Sequence, residues 1–342
     1  MDVFDGLPDP IVVDILDKVG DVKTLLRCSS LSKRFYSLVP QSESLTLRLD
    51  QVVTTESPPD SPVSNFFKSA CKPFHGLFSL FSKPAKPIPA TNLSPVIPSK
   101  LLSRFDRIKN LDVELPGEDA KPEKGAGIKW KAEFGKTLKT CVVVAFRSAS
   151  TVSSPGVESD AEFVTGLKTR VEWTINALMA ASTRHHLMSL VVKEHKEMES
   201  LVMHERGGEG TVVMKSEGLR EFRKTEAARD QELEERVEKK QRSVVPSVRM
   251  SMRHAPSLKL KSGICLESAT LVIVRPSEEY SDVGDDELAT EAFAGSCMYG
   301  EAVVALLKQC ACLHCTKLAS TFLTLHTILV NNSKHVRTLI LS

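Results

Sequence analysis

The sequence predicts a mixed α/β protein in which a short helical module precedes a larger domain of strands and helices. Three observations predict it. Residues 7–40 carry apolar side chains at helical spacing, residues 46–100 are interrupted by prolines, and residues 101–307 alternate strand-like and helix-like segments. A chain of 342 residues is long enough for one small module and one larger domain.

Composition and charge narrow the classes of function. Hydrophobic residues make up 42% of the chain and charged residues 26%, which is ordinary for a globular protein. The net charge of +2 argues against general nucleic-acid binding, because that class usually has a clear basic excess. We expect no integral membrane segment and no signal peptide, since long apolar runs are absent and the first residues are acidic. The eight cysteines are then expected to be reduced, in the cytosol or nucleus.

The first helix of the module is predicted from its ends and its apolar stripe. Asp9 can cap free N–H groups and Pro10 fits the first helical position, while Gly20 suits the left-handed residue after a helix end. The apolar residues between them recur at three- and four-residue intervals: Ile11, Val12, Ile15, Leu16 and Val19.

Two further short helices follow. Asp21 can cap the second, and the third starts near Ser30 and stops before Pro40, because the residue before a proline is disfavoured in a helix. Their apolar residues are Val22, Leu25, Leu26 and Cys28 in the second helix and Leu31, Phe35 and Leu38 in the third. A unit of this size is too small to be stable alone, so its remaining apolar side chains are expected to bind a groove on a partner.

The same residues resemble an F-box. Leu7-Pro8, Ile15-Leu16, Val22 to Cys28 and Leu31 to Leu38 match the F-box pattern in order and spacing, with Phe35 where many F-boxes have Trp. The resemblance implies that residues 1–45 bind the adaptor Skp1. The implied contact and core set is Leu7, Pro8, Ile11, Ile15, Leu16, Leu25, Leu26, Cys28 and Phe35. The alternative is a helical N-terminal hairpin of a larger domain.

Residues 46–100 are interpreted as a Pro-rich linker with basic and aromatic side chains. One alternative is an amphipathic segment that docks on a membrane surface or partner. The linker is favoured because prolines interrupt the segment and no clean helical face is present.

Residues 101–307 are interpreted as a mixed α/β domain that recruits a substrate. We expect strands at Ile108–Leu115, Ile128–Phe134, Thr140–Phe146, Gly210–Met214, Val248–Met252 and Ala269–Val274. We expect helices at residues 167–205, with a break at Ser182 or Thr183, and at Ala302–Leu307.

The same domain contains two charged segments and a region with regularly spaced apolar residues. Residues 216–243 are expected to be a charged loop or solvated helix, and residues 277–291 an acidic loop. A degenerate leucine-rich repeat stays open, because apolar intervals in residues 108–115 and 258–271 are regular although no fixed period repeats.

Three blocks of this domain resemble the plant auxin-up-regulated F-box proteins: Lys129–Gly135, Ala177–His185 and Val245–Pro256. With the F-box, the resemblance covers residues 1–307. It implies a non-catalytic substrate receptor of a Skp1–cullin–F-box ubiquitin ligase. The receptor would bind Skp1, meet cullin 1 and a RING protein through the complex, and recruit an unknown protein substrate for degradation in hormone response. The alternative is a Skp1-binding scaffold or regulator that acts outside the ligase.

The sequence indicates no catalytic site, cofactor or metal centre. Cys310, Cys312, His314 and Cys315 lie close together but lack the second pair that a structural zinc site needs. They belong to residues 308–342, an apolar and Cys-rich tail that departs from the family's pattern. We interpret this tail as an alternative or mispredicted C-terminus, and sequencing the 3′ end of the transcript would test this interpretation.

Overall fold

The computed structural model describes residues 4, 6–49, 95–116, 125–151, 160–224, 248–276 and 284–312. Its elements are α1 (Asp9–Val19), α2 (Val22–Cys28), α3 (Lys33–Leu38), a 3-10 helix (Val39–Gln41), β1 (Ser44–Arg48), α4 (Val96–Leu102), β2 (Asn110–Leu115), β3 (Gly127–Phe134), β4 (Leu138–Phe146), β5 (Ser148–Ser150), α5 (Asp160–Leu187), α6 (Ser189–Glu194), β6 (Ser200–Glu205), β7 (Gly210–Lys215), α7 (216–224), β8 (Val248–Lys259), β9 (Cys265–Pro276), α8 (Asp285–Ala292) and α9 (Cys297–Cys312).

The chain divides into two compact units. Unit 1 contains Met1–Pro116 and Thr183–Met203, and unit 2 contains Gly117–Ser182 and His204–Ser342. Within the described parts of both units, no helix is long and apolar enough to span a membrane. Residues 50–94 of the predicted linker lie outside the described residues, as does most of the tail.

The ends of the first three helices are fixed by local hydrogen bonds. Gly20 adopts a left-handed φ of 60° and donates its N–H to the Leu16 carbonyl, as expected of a residue that ends a helix. The Asp21 carboxylate accepts from Thr24 N at 2.9 Å, and this cap begins α2 as predicted. The prediction for Asp9 is wrong, because Asp9 is already the first residue of α1 and makes no cap.

The hydrophobic core of unit 1 joins these helices to strands of the same chain. Val12, Leu16 and Leu25 are buried, and α1 and α2 contact β1, whose Leu45 and Leu47 are also buried. β1 pairs in parallel with β2, with Leu45 beside Leu111 and Leu47 beside Val113. The predicted module boundary at residue 45 therefore falls inside β1, and the chain itself covers one side of the helical module.

Unit 2 is built on a mixed sheet in which the strand order is β7-β3-β4-β9, with β8 also paired to β9. β3 runs parallel to β7, whereas the β3–β4, β4–β9 and β8–β9 pairs are antiparallel. This arrangement differs from the single parallel stack that a leucine-rich repeat would form, so the repeat interpretation is not confirmed. Helices α8 and α9 pack on one face and bury Phe293 and Leu306 with β4 and β9.

All six predicted strands are present, but the predicted helix at residues 167–205 is partly wrong. Helix α5 continues through Ser182 and ends at Leu187, and residues 200–205 form strand β6. Leu201 and Met203 are buried while their neighbours are half-buried, which is the two-residue period of a strand. So short an apolar segment also fits a helix face, which explains the error.

Residues 216–224 form α7, so the described start of the charged segment takes the helical one of the two structures expected there. The expected acidic loop is helical instead where it is described, because residues 285–291 lie in α8. The first turn of α8 holds Asp285, Asp286 and Glu287, whose negative charges suit the positive end of a helix dipole.

Replacing Gly218 with alanine is expected to destabilise unit 2 by about 2 kcal/mol, because overpacking forces the backbone to shift. A Cβ at this position would lie 2.4 Å from the Phe134 carbonyl oxygen and 3.1 Å from Gly135 Cα. Urea unfolding of Gly218→Ala measures the change. The matched control is Gly6→Ala, whose added Cβ has no atom within 4 Å. Equal stability of the two variants would contradict this packing.

Candidate functional site

The most exposed large apolar side chains of the described residues concentrate in the helical module. Ile11 is 46% exposed, Val19 45%, Leu31 73% and Tyr36 63%; we call these four the outer residues. Outside the module, only Val96 at 43% is comparable within the described part of the chain. Clustered exposure of this kind is typical of an interaction site, whereas scattered exposed apolar residues need no explanation.

Ile11 and Val19 of α1 are exposed because the apolar stripe of this helix is wide. Ile11, Ile15 and Val19 follow one another at one-turn spacing, with Ile15 half-buried. Val12 and Leu16 lie on the adjoining part of the helix surface and are 1% and 3% exposed. The stripe is wider than the internal core covers, so one edge of it remains at the surface.

The residues predicted to bind Skp1 divide into two groups. Leu16, Leu25 and Phe35 are buried in the core of unit 1. The other six lie at the surface: Pro8 and Ile11 are exposed, and Leu7, Ile15, Leu26 and Cys28 are half-buried. The core members therefore support the module from inside, and any contact with a partner falls to the surface members.

The prediction that Leu31 packs within the third helix is wrong. Val19 and Tyr36, which are also exposed, were not among the residues predicted to bind Skp1. Leu31 was expected to pack in the third helix, but α3 begins only at Lys33, after the Ser32 cap. Leu31 thus belongs to the turn between helices and points into solvent. The four-residue spacing from Ile11 through Ile15 could have identified Val19.

Arg34 connects the start of the module to α3. Its Nε and Nη2 donate to Asp9 Oδ1 at 2.9 Å and 2.7 Å, and Nη1 donates to the Phe4 carbonyl at 2.6 Å. Nη2 also donates to the Leu7 carbonyl. The Phe4 ring meets the Phe35 ring edge-on, with centroids 5.4 Å apart. The planar guanidinium thereby holds Phe4, Leu7 and Asp9 against α3, a role that the sequence did not reveal.

Asp17 connects α1 to the sheet of unit 1. Its Oδ1 accepts a hydrogen bond from Glu43 N at 2.7 Å, at the point where the chain enters β1. The Glu43 carbonyl in turn accepts from Lys109 N and Asn110 N at the start of β2. Thr46 N donates to the Gly20 carbonyl at 2.8 Å. These bonds fix α1 to the two strands.

The described residues contain no group of three or more potential metal ligands. Cys310 and Cys312 are in the last turn of α9, whereas His314 and Cys315 lie outside the description. Cys141 is buried in β4, and burial raises the pKa of its thiol to about 12. A thiol in this state is a poor nucleophile, because the thiolate is the reactive form.

Comparison with known proteins identifies the class. The chain is 75% identical over 313 residues to F-box protein AUF2 of Arabidopsis thaliana, covering 90% of this chain and 96% of that protein. It is 60% identical over 326 residues to F-box protein AUF1 of the same plant, covering 90% and 97%. F-box protein At4g18380 is 35% identical over 361 residues, covering 90% and 92%. No family model and no solved structure matches the chain.

These relatives are F-box proteins, the class that residues 7–38 resemble. The chain belongs to the auxin-up-regulated F-box family, which includes AUF1 and AUF2. The family resemblance found in the three sequence blocks is thereby confirmed.

Replacing Arg34 with alanine is expected to lower the free energy of unfolding by about 1–3 kcal/mol, because the charged hydrogen bonds to Phe4, Leu7 and Asp9 are lost. Arg34→Lys should recover only part of the loss, since an ammonium group cannot reproduce the planar contacts. Thermal or urea unfolding measures both. Lys33→Ala, at an exposed neighbouring position, is the control. If Arg34→Ala were as stable as Lys33→Ala, the role assigned to Arg34 would be wrong.

Alkylation of the native protein should modify Cys28 well before Cys141. Cys28 is half-buried at the surface of the module, whereas Cys141 is buried with a raised pKa. Iodoacetamide treatment at mildly alkaline pH, followed by peptide mass spectrometry, measures the two rates. Unfolding in urea should bring the rates together. Rapid modification of Cys141 in the folded protein would contradict its placement in β4.

Proposed function

We propose that this chain is the substrate-recognition subunit of a Skp1–cullin–F-box ubiquitin ligase and that it binds Skp1 through the surface of its N-terminal helices. The concentration of the outer residues in this module supports the proposal most strongly. Membership of the F-box family supports it independently.

Skp1 binding would cover the edge of the α1 stripe that unit 1 leaves at the surface. The apolar groups involved are Ile11, Ile15 and Val19, joined by the half-buried Leu7. Removing the remaining exposed part of each such side chain from water contributes on the order of 1 kcal/mol. These contacts would supply only part of the affinity, because association also costs translational and rotational freedom, so ordered helices and the rest of the interface matter as well.

Polar contacts within the chain hold the helical module in order before Skp1 binds. Arg34 fixes Phe4, Leu7 and Asp9, and Asp17 fixes the C-terminal half of α1 to the start of β1. A surface held in its binding conformation loses less conformational entropy on association. The hydrogen bonds therefore strengthen Skp1 binding without touching Skp1.

The role of the chain in the reaction would be proximity. Skp1 connects the F-box subunit to cullin 1 and the RING protein, and the rest of this chain holds a protein substrate. Binding both raises the effective concentration of substrate lysines near the charged conjugating enzyme. We further propose that the complex acts in the cytosol or nucleus and that its targets belong to hormone response.

Ile11→Asp is expected to weaken Skp1 binding at least tenfold while leaving the protein folded, because a charge would enter the centre of an apolar contact. Biolayer interferometry with purified Skp1 measures the affinity, and circular dichroism monitors the fold. The matched control is Val96→Asp, the same class of change at nearly equal exposure, 43% against 46%, but outside the module.

Two outcomes of this test would count against the proposed surface. Equal Skp1 affinity for Ile11→Asp and the unaltered chain would contradict the proposed surface. Loss of binding in Val96→Asp would show that the effect is not local.

Co-purification of cullin 1 with the chain separates a ligase subunit from a scaffold that binds Skp1 alone. Leu16→Asp is unsuitable here, because it would unfold the core of unit 1.

A further inference from the structure

The sheet of unit 2 has one face that helices cover over only part of its width. Val142, Val144 and Phe146 of β4 are buried on this face beneath α8 and α9. Lys131 of β3 lies beside Val142, and Thr211 of β7 lies beside Lys131, so the face continues across both strands. On β3 and β7 it carries the side chains that we name the lysine face: Lys129, Lys131, Glu133, Thr211, Val213 and Lys215.

The helix layer ends at the first of these lysines. Lys129 Nζ donates to Ser296 Oγ at 3.4 Å and lies 5.5 Å from the centre of the Tyr299 ring. Farther across the face, Lys131 and Thr211 are half-buried rather than buried. The reverse face of the same two strands is apolar and buried, as Trp130 and Val212 show. β3 and β7 are therefore amphipathic strands, and beyond the contact of Lys129 with Tyr299 the described residues leave their polar side only half-buried.

The lysine face carries an excess of positive charge. Glu133, its one carboxylate, pairs with Lys215 at 3.1 Å. Lys131 forms no ion pair with any described residue. Glu209 lies near Tyr299. Burial raises the pKa of Tyr299, and the negative charge of Glu209 raises it further. Lys131 and the strand beside it thus remain available to an anionic group.

We infer that the lysine face binds an acidic, extended segment of a protein substrate, an inference that rests on the proposed receptor function. Lys129 and Lys131 are two residues apart on one strand, which separates their Cα atoms by about 7 Å. An extended peptide repeats its side chains on one side at the same interval, so carboxylates at alternate positions can meet both lysines. Thr211 and Val213 offer a hydroxyl and a small apolar contact beside them.

The charge pattern would act in two ways. Complementary charge accelerates encounter and excludes basic segments, because placing like charges together is costly. Half-buried lysines interact more strongly with a carboxylate than exposed ones do, since less water screens the pair. The contact would remain sensitive to ionic strength.

The test is fluorescence anisotropy with the full chain and a labelled peptide of about twelve residues that alternates Glu with Ser. A peptide with Gln in place of Glu is the neutral probe. Lys131→Glu should weaken binding of the acidic peptide about tenfold or more, since attraction becomes repulsion. The matched control is Lys136→Glu, the same charge reversal at an exposed lysine in the turn between β3 and β4. That variant should bind within about twofold of the unaltered chain.

Several outcomes would overturn the inference. These are no binding of the acidic peptide, equal binding of the Gln peptide, or equal losses in both lysine variants. Tighter binding of a single-stranded oligonucleotide than of the peptide, lost in Lys131→Glu, would assign the face to nucleic acid instead. A large gain in peptide affinity on replacing Glu118, Asp119 and Glu123 with Gln would show that the chain covers its own face.

Skp1 capture by the same proteins separates this inference from the proposed function. Lys131→Glu should capture Skp1 as the unaltered chain does. Peptide binding together with failure of Skp1 capture by the unaltered chain would reject the proposed function and leave the lysine face as a peptide site. Skp1 capture without peptide binding would reject the lysine face alone.

Discussion

The packing of α1 and α2 on β1 is the interaction on which unit 1 depends. Helices α1, α2 and α3 have 11, 7 and 6 residues, lengths at which isolated helices are unstable in water. Leu45 and Leu47 complete the core that Leu16 and Leu25 begin. Because the strands cover only the inner part of the α1 stripe, Ile11 and Val19 are left at the surface. The exposed surface is thus a consequence of how the core is made.

Polar contacts add what apolar packing cannot supply, a fixed geometry. Arg34 and Asp17 each join segments that are more than twenty residues apart in the chain. Hydrophobic contacts are non-directional, whereas these hydrogen bonds set the positions of Phe4, Leu7 and Asp9 and of the start of β1. A partner that binds the module then meets a surface that is already ordered. The helices that form this surface pack on the strands of unit 1.

Much of the fold could be predicted from sequence because it is set by local periodicity. The cap at Asp21 and the double-sided burial of β4 follow from neighbouring residues. Which edge of the α1 stripe is covered could not be predicted, since Ile11 and Leu16 are equally apolar and only tertiary packing distinguishes them. The role of Arg34 was missed for a related reason, because its partner Asp9 is distant in sequence.

We propose that an adaptor covers the apolar surface of the first three helices. The decisive experiment is isothermal titration calorimetry of the full chain with purified Skp1, repeated at several temperatures. Burial of apolar surface predicts saturable one-to-one binding with a negative heat-capacity change. Absence of binding at every temperature, or binding whose heat-capacity change is close to zero, would contradict the claim.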